Sequence, residues 1–240
     1  LKYYPYIQLI FIILFVFLGY LVLNNTMRSE QNFIWVGMAK ETAHQLGTPI
    51  SSLMAWVELL RGQQGVPSEE VLIEMEKDIT RLQTVTSRFS QIGSKPILKP
   101  TDYKNYILDT IQYLKTRISG KIKWHVELGE SAEAQLVGLN KPLMDWTLEN
   151  IIKNAADAMD GQGQITILLF AQNEKYILDI TDTGKGLKKE QFTDIFKPGY
   201  TTKQRGWGLG LSLAKRIVEA YHSGKIFVKQ SEINKGTTLR

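Results

Sequence analysis

Asn150 and Asn154 stand four residues apart in a stretch that reads N-I-I-K-N-A-A-D-A, so on a helix they share one face. A neutral amide oxygen can complete the octahedral shell of Mg²⁺ while phosphates supply most of the negative charge, so the pair suits a metal–triphosphate. Asp182-Thr183-Gly184-Lys185-Gly186 follows an apolar run, where a carboxylate can accept from the exocyclic amine of a base and glycines let backbone approach a ring. Next come Phe192-Thr193-Asp194-Ile195-Phe196 and Lys197 to Lys203, in which Thr202 and Lys203 offer a hydroxyl and a cation to phosphates. Gly206-Trp207-Gly208-Leu209-Gly210-Leu211 then opens a helix, and alternating glycines there bare N–H groups at the positive end of the dipole. Taken singly, each element has an ordinary reading: a wet helix face, a strand-ending turn, a loop, a glycine-rich helix start. The last is neither a dinucleotide fingerprint nor a P-loop, because the preceding strand and the Gly-Lys-Ser/Thr ending are missing.

Of the three histidines, His125 alternates with Ile122, Trp124, Val126 and Leu128 in a strand pattern and faces solvent, and His222 precedes Gly224 at a helix end. Both read as structural. His44 lies on a helix beside Pro49, next to Gln45, and by itself is an ordinary surface residue.

The elements that must carry these residues can be read from periodicity. Trp35, Met38, Thr42, Gln45, Pro49, Leu53, Trp56 and Leu60 recur at alternating gaps of three and four, as do Leu72, Met75, Ile79, Leu82, Thr86 and Phe89. Gly62 to Pro67 supplies a loop and Ser68 a cap, giving an antiparallel helical hairpin whose seam calls for a second copy and hence a four-helix bundle. Pro49 should bend the first helix just after His44. Helices are expected over 103–118, 141–159 and 209–221, and strands over 121–128, 164–170, 175–182 and 225–230, a sheet covered on one face. The domains implied are 1–28 (membrane helix and juxtamembrane segment), 29–92 (hairpin), 93–100 (linker) and 101–240 (α/β sandwich).

Composition sets outer limits. With 43% hydrophobic and 22% charged residues the chain folds, zero cysteines exclude disulfides and thiolate metal sites, and a net charge of +5 without clustering gives no nucleic-acid face. Ile7 to Leu23 is apolar but for Gln8 and flanked by tyrosines; as a helix it extends roughly 26 Å, close to a bilayer's hydrocarbon core. Arg28 and Lys40 after it place the remainder in the cytoplasm by the positive-inside tendency, and the start at Leu1 points to an upstream portion outside this sequence.

In order, H-Q-L-G-T-P, N-x-x-x-N-A-A-D-A, D-T-G-K-G, F-T-D-I-F-K-P and G-W-G-L-G-L resemble the H, N, G1, F and G2 boxes of bacterial sensor histidine kinases, over about residue 30 to Arg240. The resemblance implies a multidomain α and α+β architecture: membrane helix, dimeric four-helix bundle, and an ATP-binding domain of GHKL type. It implies that ATP phosphorylates His44, that Asn154 ligands Mg²⁺, that Asn150 supports the metal and phosphate region, and that Lys153 lies near the phosphates. Asp182 would bind the adenine amine, Gly184 and Gly186 shape the base pocket, and Gly206, Gly208 and Gly210 form the phosphate end, with Thr202 and Lys203 beside them. The implied partners are a second copy of the chain and a response regulator receiver domain, with the chain anchored in the inner membrane and its catalytic domains in the cytoplasm.

One departure stands out. Most members of that family carry Glu or Asp after the histidine, and here it is Gln45, which can orient the ring but is a very poor base. Autophosphorylation is expected to persist with water or Glu41 assisting, and Thr48, one turn on, to position water for dephosphorylating the partner. The competing readings are an ATPase related to type II topoisomerases and MutL-type repair proteins, which place a catalytic glutamate where Asn150 stands, and a kinase-dead scaffold or pure phosphatase.

Overall fold

The computed structural model describes residues 3–62, 68–92, 96–129, 136–173, 175–203 and 208–240; the side chains of 5, 23, 25–35, 38, 41, 62, 91 and 92 are not among them. The expected seam positions Trp35 and Met38, the loop residues 63–67 and Gly206 thus lie outside the described residues.

The first element is one helix, α1, Tyr4–Gly62, which runs on through Pro49 although that residue has no N–H to donate. From Tyr6 to Val22 its apolar side chains are exposed on every face. Among the described residues no helix is long and apolar enough to cross a membrane.

Helix α2, Glu69–Ile92, begins with two carboxylates that favour the positive end of its dipole and packs back along α1. The seam is close to the expected one but not identical. Along α1, Thr42, Leu46, Pro49, Leu53, Trp56 and Leu60 turn inward, so Leu46 takes the place expected for the exposed Gln45. Along α2 the inward positions are Val71, Met75, Asp78, Leu82 and Val85. Leu72, Ile79 and Phe89 remain exposed, as do Ile50, Met54 and Val57 of α1.

After the hairpin come β1 (Lys99–Asp102), α3 (Tyr103–Lys115), β2 (Ile122–Leu128), β3 (Leu136–Leu139), α4 (Lys141–Ala158), β4 (Gly163–Gln172), β5 (Lys175–Asp182), α5 (Gln191–Asp194), α6 (Gly210–Arg216), β6 (Val228–Glu232) and β7 (Gly236–Leu239). β1 starts within the stretch read as a linker and pairs antiparallel with β3. The main sheet is mixed, in the order β2-β4-β5-β7-β6, with β2 parallel to β4 and the other neighbours antiparallel.

Alternation along β4 explains the core. Ile165, Ile167 and Leu169 are fully buried, and they join Ile107 and Ile111 of α3 with Leu148, Ile152 and Ala155 of α4 in one cluster. Asp102 caps α3 through the Asn105 N–H, and Asn140 caps α4 through the Leu143 N–H, 3.2 Å in each case. A second small cluster, Leu143, Leu213 and Ile217, locks α6 onto α4. The helix expected over 209–221 changes character after Arg216 into a π turn, Ile217–Tyr221. His125 is exposed as expected, its Nε2 lying 2.8 Å from Glu127 Oε1.

Candidate nucleotide site

Asn150 and Asn154 project from α4 into a cleft of about 1110 Å³ that also receives Asp182 at the end of β5, Lys185, Gly186, the segment Tyr200–Lys203, and Gly208 and Gly210 at the start of α6. Of the residues expected to bind nucleotide, this unites Asn150, Lys153, Asn154, Asp182, Gly186, Thr202, Lys203, Gly208 and Gly210. Gly184 plays a different part. Its N–H donates to Asp182 Oδ1 at 2.8 Å, and its Cα packs so closely on Ala158 that an added Cβ would meet the carbonyl oxygen at 2.5 Å. It therefore seats the β5 end against α4 instead of lining the cleft.

Burial pushes the Asp182 carboxyl up, against the opposing effect of hydrogen bonds from the backbone N–H groups of Gly184 and Thr237. One oxygen is engaged by Gly184, so the carboxylate is fixed in direction, as an acceptor for an exocyclic amine must be. Asn150 Nδ2 is buried and has no hydrogen-bond partner among the described residues, a cost that an oxygen-rich ligand in the cleft would remove.

The Tyr200–Lys203 segment is held by several bonds. Gly199 donates to the Gly208 carbonyl at 3.1 Å, Gln191 Nε2 to the Tyr200 hydroxyl at 2.8 Å, and Lys185 Nζ to Thr202 Oγ1 at 3.3 Å. Gly208 has φ of +66°, and an added Cβ would meet the Gly199 carbonyl carbon at 2.5 Å, so only glycine closes this loop without strain. Lys203 Nζ reaches back to Asn154 Oδ1 at 2.9 Å and Asp157 Oδ2 at 2.5 Å. The oxygen expected to ligand a metal thus already accepts a cation, and the donor set of amide and carboxylate oxygen suits Mg²⁺.

His44 is exposed on α1 and is not among the residues lining the cleft, nor is Thr48. The hairpin instead presents Thr42, Gln45, Val85, Arg88 and Phe89 to it. Two further residues lining the cleft, Asp157 and Arg88, escape the sequence reading, as does Glu149, which pairs with Arg88 and Lys153 beside it. Asp157 stands three residues after Asn154, and Glu149 four before Lys153, helical spacings that could have flagged both; Arg88 gives no signal.

A five-stranded mixed sheet with helices on one face, and a cleft between α4, the β5 end and the α6 start, define the class to which these residues belong. Residues 141–240 match the family of histidine kinase-, DNA gyrase B- and HSP90-like ATPases. Across the longer chain the similarity is to bacterial sensor histidine kinases with this type of ATP-binding domain. Sporulation kinase D of Bacillus subtilis (strain 168) is 31% identical over 97% of this chain and 47% of its own length. Sensor histidine kinase ZraS of Escherichia coli (strain K12) is 27% identical over 91% of this chain and 47% of its own. The solved structure of histidine kinase ThkA in complex with response regulator protein TrrA superposes with a TM-score of 0.55 over 88% of this chain and 62% of that one, at 22% identity, which shows the shared fold. The chain spans about half the length of the curated relatives it matches.

Proposed function

We propose that this chain is the catalytic portion of a membrane-anchored sensor histidine kinase that transfers the γ-phosphoryl group of ATP to His44 and then to an aspartate of a response regulator. The observation that carries the reading is the convergence on one cleft of Asn150, whose buried Nδ2 has no partner among the described residues, Asn154 and the directed carboxylate of Asp182. Asp182 would take the adenine amine, and Lys153, Thr202, Lys203 and the N–H groups near Gly208 and Gly210 would face the phosphates. Gly206 belongs with them by position in the sequence. Asn154 would hold Mg²⁺, which when bound neutralises phosphate charge.

A neutral imidazole nitrogen of His44 forms a bond to the γ-phosphorus as the bond to the β–γ bridging oxygen breaks, ADP departs, and the ring sheds its proton to solvent. Gln45 accepts or donates a hydrogen bond but does not serve as base, and Thr48 would position water for dephosphorylating the regulator. Glu41, the other candidate for proton transfer, has a side chain outside the described residues.

The exposed Ile50, Met54, Val57, Leu72 and Ile79 of the hairpin suit a second copy packed as a four-helix bundle. The exposed run from Tyr6 to Val22 suits lipid and would place the remaining domains, 29–92 and 101–240, in the cytoplasm at the inner membrane. The receiver-domain partner is supported by the complex reported for ThkA.

The test is incubation with γ-labelled ATP and Mg²⁺. An acid-labile, alkali-stable label that His44→Gln abolishes is expected. Label on another side chain, or nucleotide hydrolysis with no protein label, would favour the ATPase reading.

A further inference from the structure

Arg88 of α2 and Glu149 of α4 form an ion pair across the hairpin and the ATP-binding domain, Nη2 to Oε2 at 2.5 Å, with side chains only 22% and 20% exposed. The guanidinium carbon also lies 5.5 Å from the centre of the Trp146 ring, one turn before Asn150 on α4. The other oxygen of Glu149 takes Lys153 at 2.7 Å. Burial works to raise the Glu149 carboxyl, but the hydrogen bond from Lys153 and the charge of Arg88 outweigh it and hold the group below its usual range. The carboxylate is therefore charged and committed to both cations. A second contact joins the same two bodies: at Gly37 of α1 an added Cβ would lie 2.7 Å from the Leu209 side chain, at the start of α6.

These contacts decide which face of α1 meets the cleft. Thr42 and Gln45, three apart and so on one side of the helix, line it. His44 is one residue, about 100°, round the helix from Gln45 and stays exposed outside it.

We propose that Arg88 and Glu149 are positioning residues, whose ion pair across the hairpin and ATP-binding domain holds the docked register that keeps His44 of the same chain out of the nucleotide cleft. Phosphoryl transfer then requires the pair to open. The part concerning His44 rests on the function proposed above, whereas the docking itself does not.

The absence of cysteine permits site-specific labelling of the full chain. Spin labels at Thr84→Cys and Lys189→Cys, both exposed, would report the distance between hairpin and ATP-binding domain, diluted with unlabelled chain. Arg88→Glu should broaden that distance distribution and raise the initial rate of His44 labelling, read at saturating ATP, about fivefold. Adding Glu149→Arg should restore both, because the carboxylate introduced on α2 would then face the guanidinium introduced on α4, with the Lys153 ammonium beside it. An unchanged distance, a slower labelling rate in Arg88→Glu, or no recovery in the double variant overturns the proposal. No label on His44 in any variant, with the distance shift intact, would overturn the histidine reading while supporting the docking role.

Discussion

The ammonium of Lys203 lies 2.9 Å from Oδ1 of Asn154, the oxygen proposed above to ligand Mg²⁺. Asp157 completes the seat, its Oδ2 2.5 Å from the same ammonium. If Asn154 holds Mg²⁺ as proposed, binding of the metal with nucleotide displaces Lys203, which is then free to turn toward the phosphates. The side chains of Lys203 and Asp157 are 42% and 56% exposed, so the competition is modest, at most about 1 kcal/mol. Lys203→Met should lower the Mg²⁺ concentration needed for half-maximal binding of a non-hydrolysable ATP analogue by about two- to fivefold. At saturating Mg²⁺ the same variant should bind the analogue more weakly, since the proposed phosphate contact is lost. A titration showing that more Mg²⁺ is needed would contradict the displacement.

Two glycines should be intolerant for different reasons. Gly184→Ala drives a methyl into the Ala158 carbonyl, backbone against backbone, and should cost about 2–4 kcal/mol of stability, visible as a lowered thermal midpoint. Gly208→Ala combines a positive φ with a clash against Gly199 and Tyr200, at about 1–3 kcal/mol. Its larger consequence should be local: nucleotide affinity falls, because the loop that carries Lys203 can no longer close on Gly208. Equal thermal midpoints for Gly184→Ala and the parent chain would refute the clash with Ala158.

Much of this arrangement is legible in the sequence because local chemistry agrees with global placement. The i, i+4 spacing of Asn150 and Asn154 puts them in the cleft, and the alternation along β4 predicts its buried face. Three things are not legible. β1 and β3 are four-residue strands containing Pro100 and Gly138, too short and too poor in β-formers to show a period. Leu46 displaces Gln45 from the seam because a gap of three and a gap of four are equally compatible with a single helix, and only the partner helix selects between them. Arg88 and Glu149 are 61 residues apart, and no sequence period links residues that meet only when two folded bodies dock.

His222 joins two elements only while neutral. Its Nε2 accepts the Asn140 N–H at 3.0 Å, and its Nδ1 lies 2.8 Å from the Ile217 carbonyl, to which it must donate. Burial lowers the imidazole below its ordinary value of 6.5, partly opposed by the bond to Ile217. The unfolded chain therefore takes up the proton first, so stability is fully present above pH 6.5 and falls as pH drops from there toward the folded value. Denaturant unfolding across the mildly acidic range, starting from neutral pH, should show this slope in the parent chain and lose it in His222→Gln. A parallel slope in both would mean that another group titrates in this window.

Asp179 should govern a separate, more acidic window. Its carboxylate, 4% exposed on β5, accepts Arg240 Nε at 2.7 Å, Arg240 Nη2 at 2.9 Å and Lys229 Nζ at 2.7 Å, tying β5 to the last residue of the chain and to β6. Burial alone would raise this carboxyl, yet the bonds from Arg240 and Lys229 hold it below its ordinary 3.8. With the folded value depressed, the stabilisation is present above the unfolded value near 3.8 and is lost as pH falls through it toward the folded one. Asp179→Asn keeps the shape but removes the charge. It should cost about 2 kcal/mol at about pH 7 and clearly less near pH 2, well below the unfolded value of 3.8, where the parent has already lost part of that stabilisation. Removing Arg240 should produce a similar but smaller loss, since Lys229 still pairs with the buried oxygen. If Asp179→Asn destabilises the chain equally at both pH values, packing and not charge pairing holds β5 to the C-terminal strands.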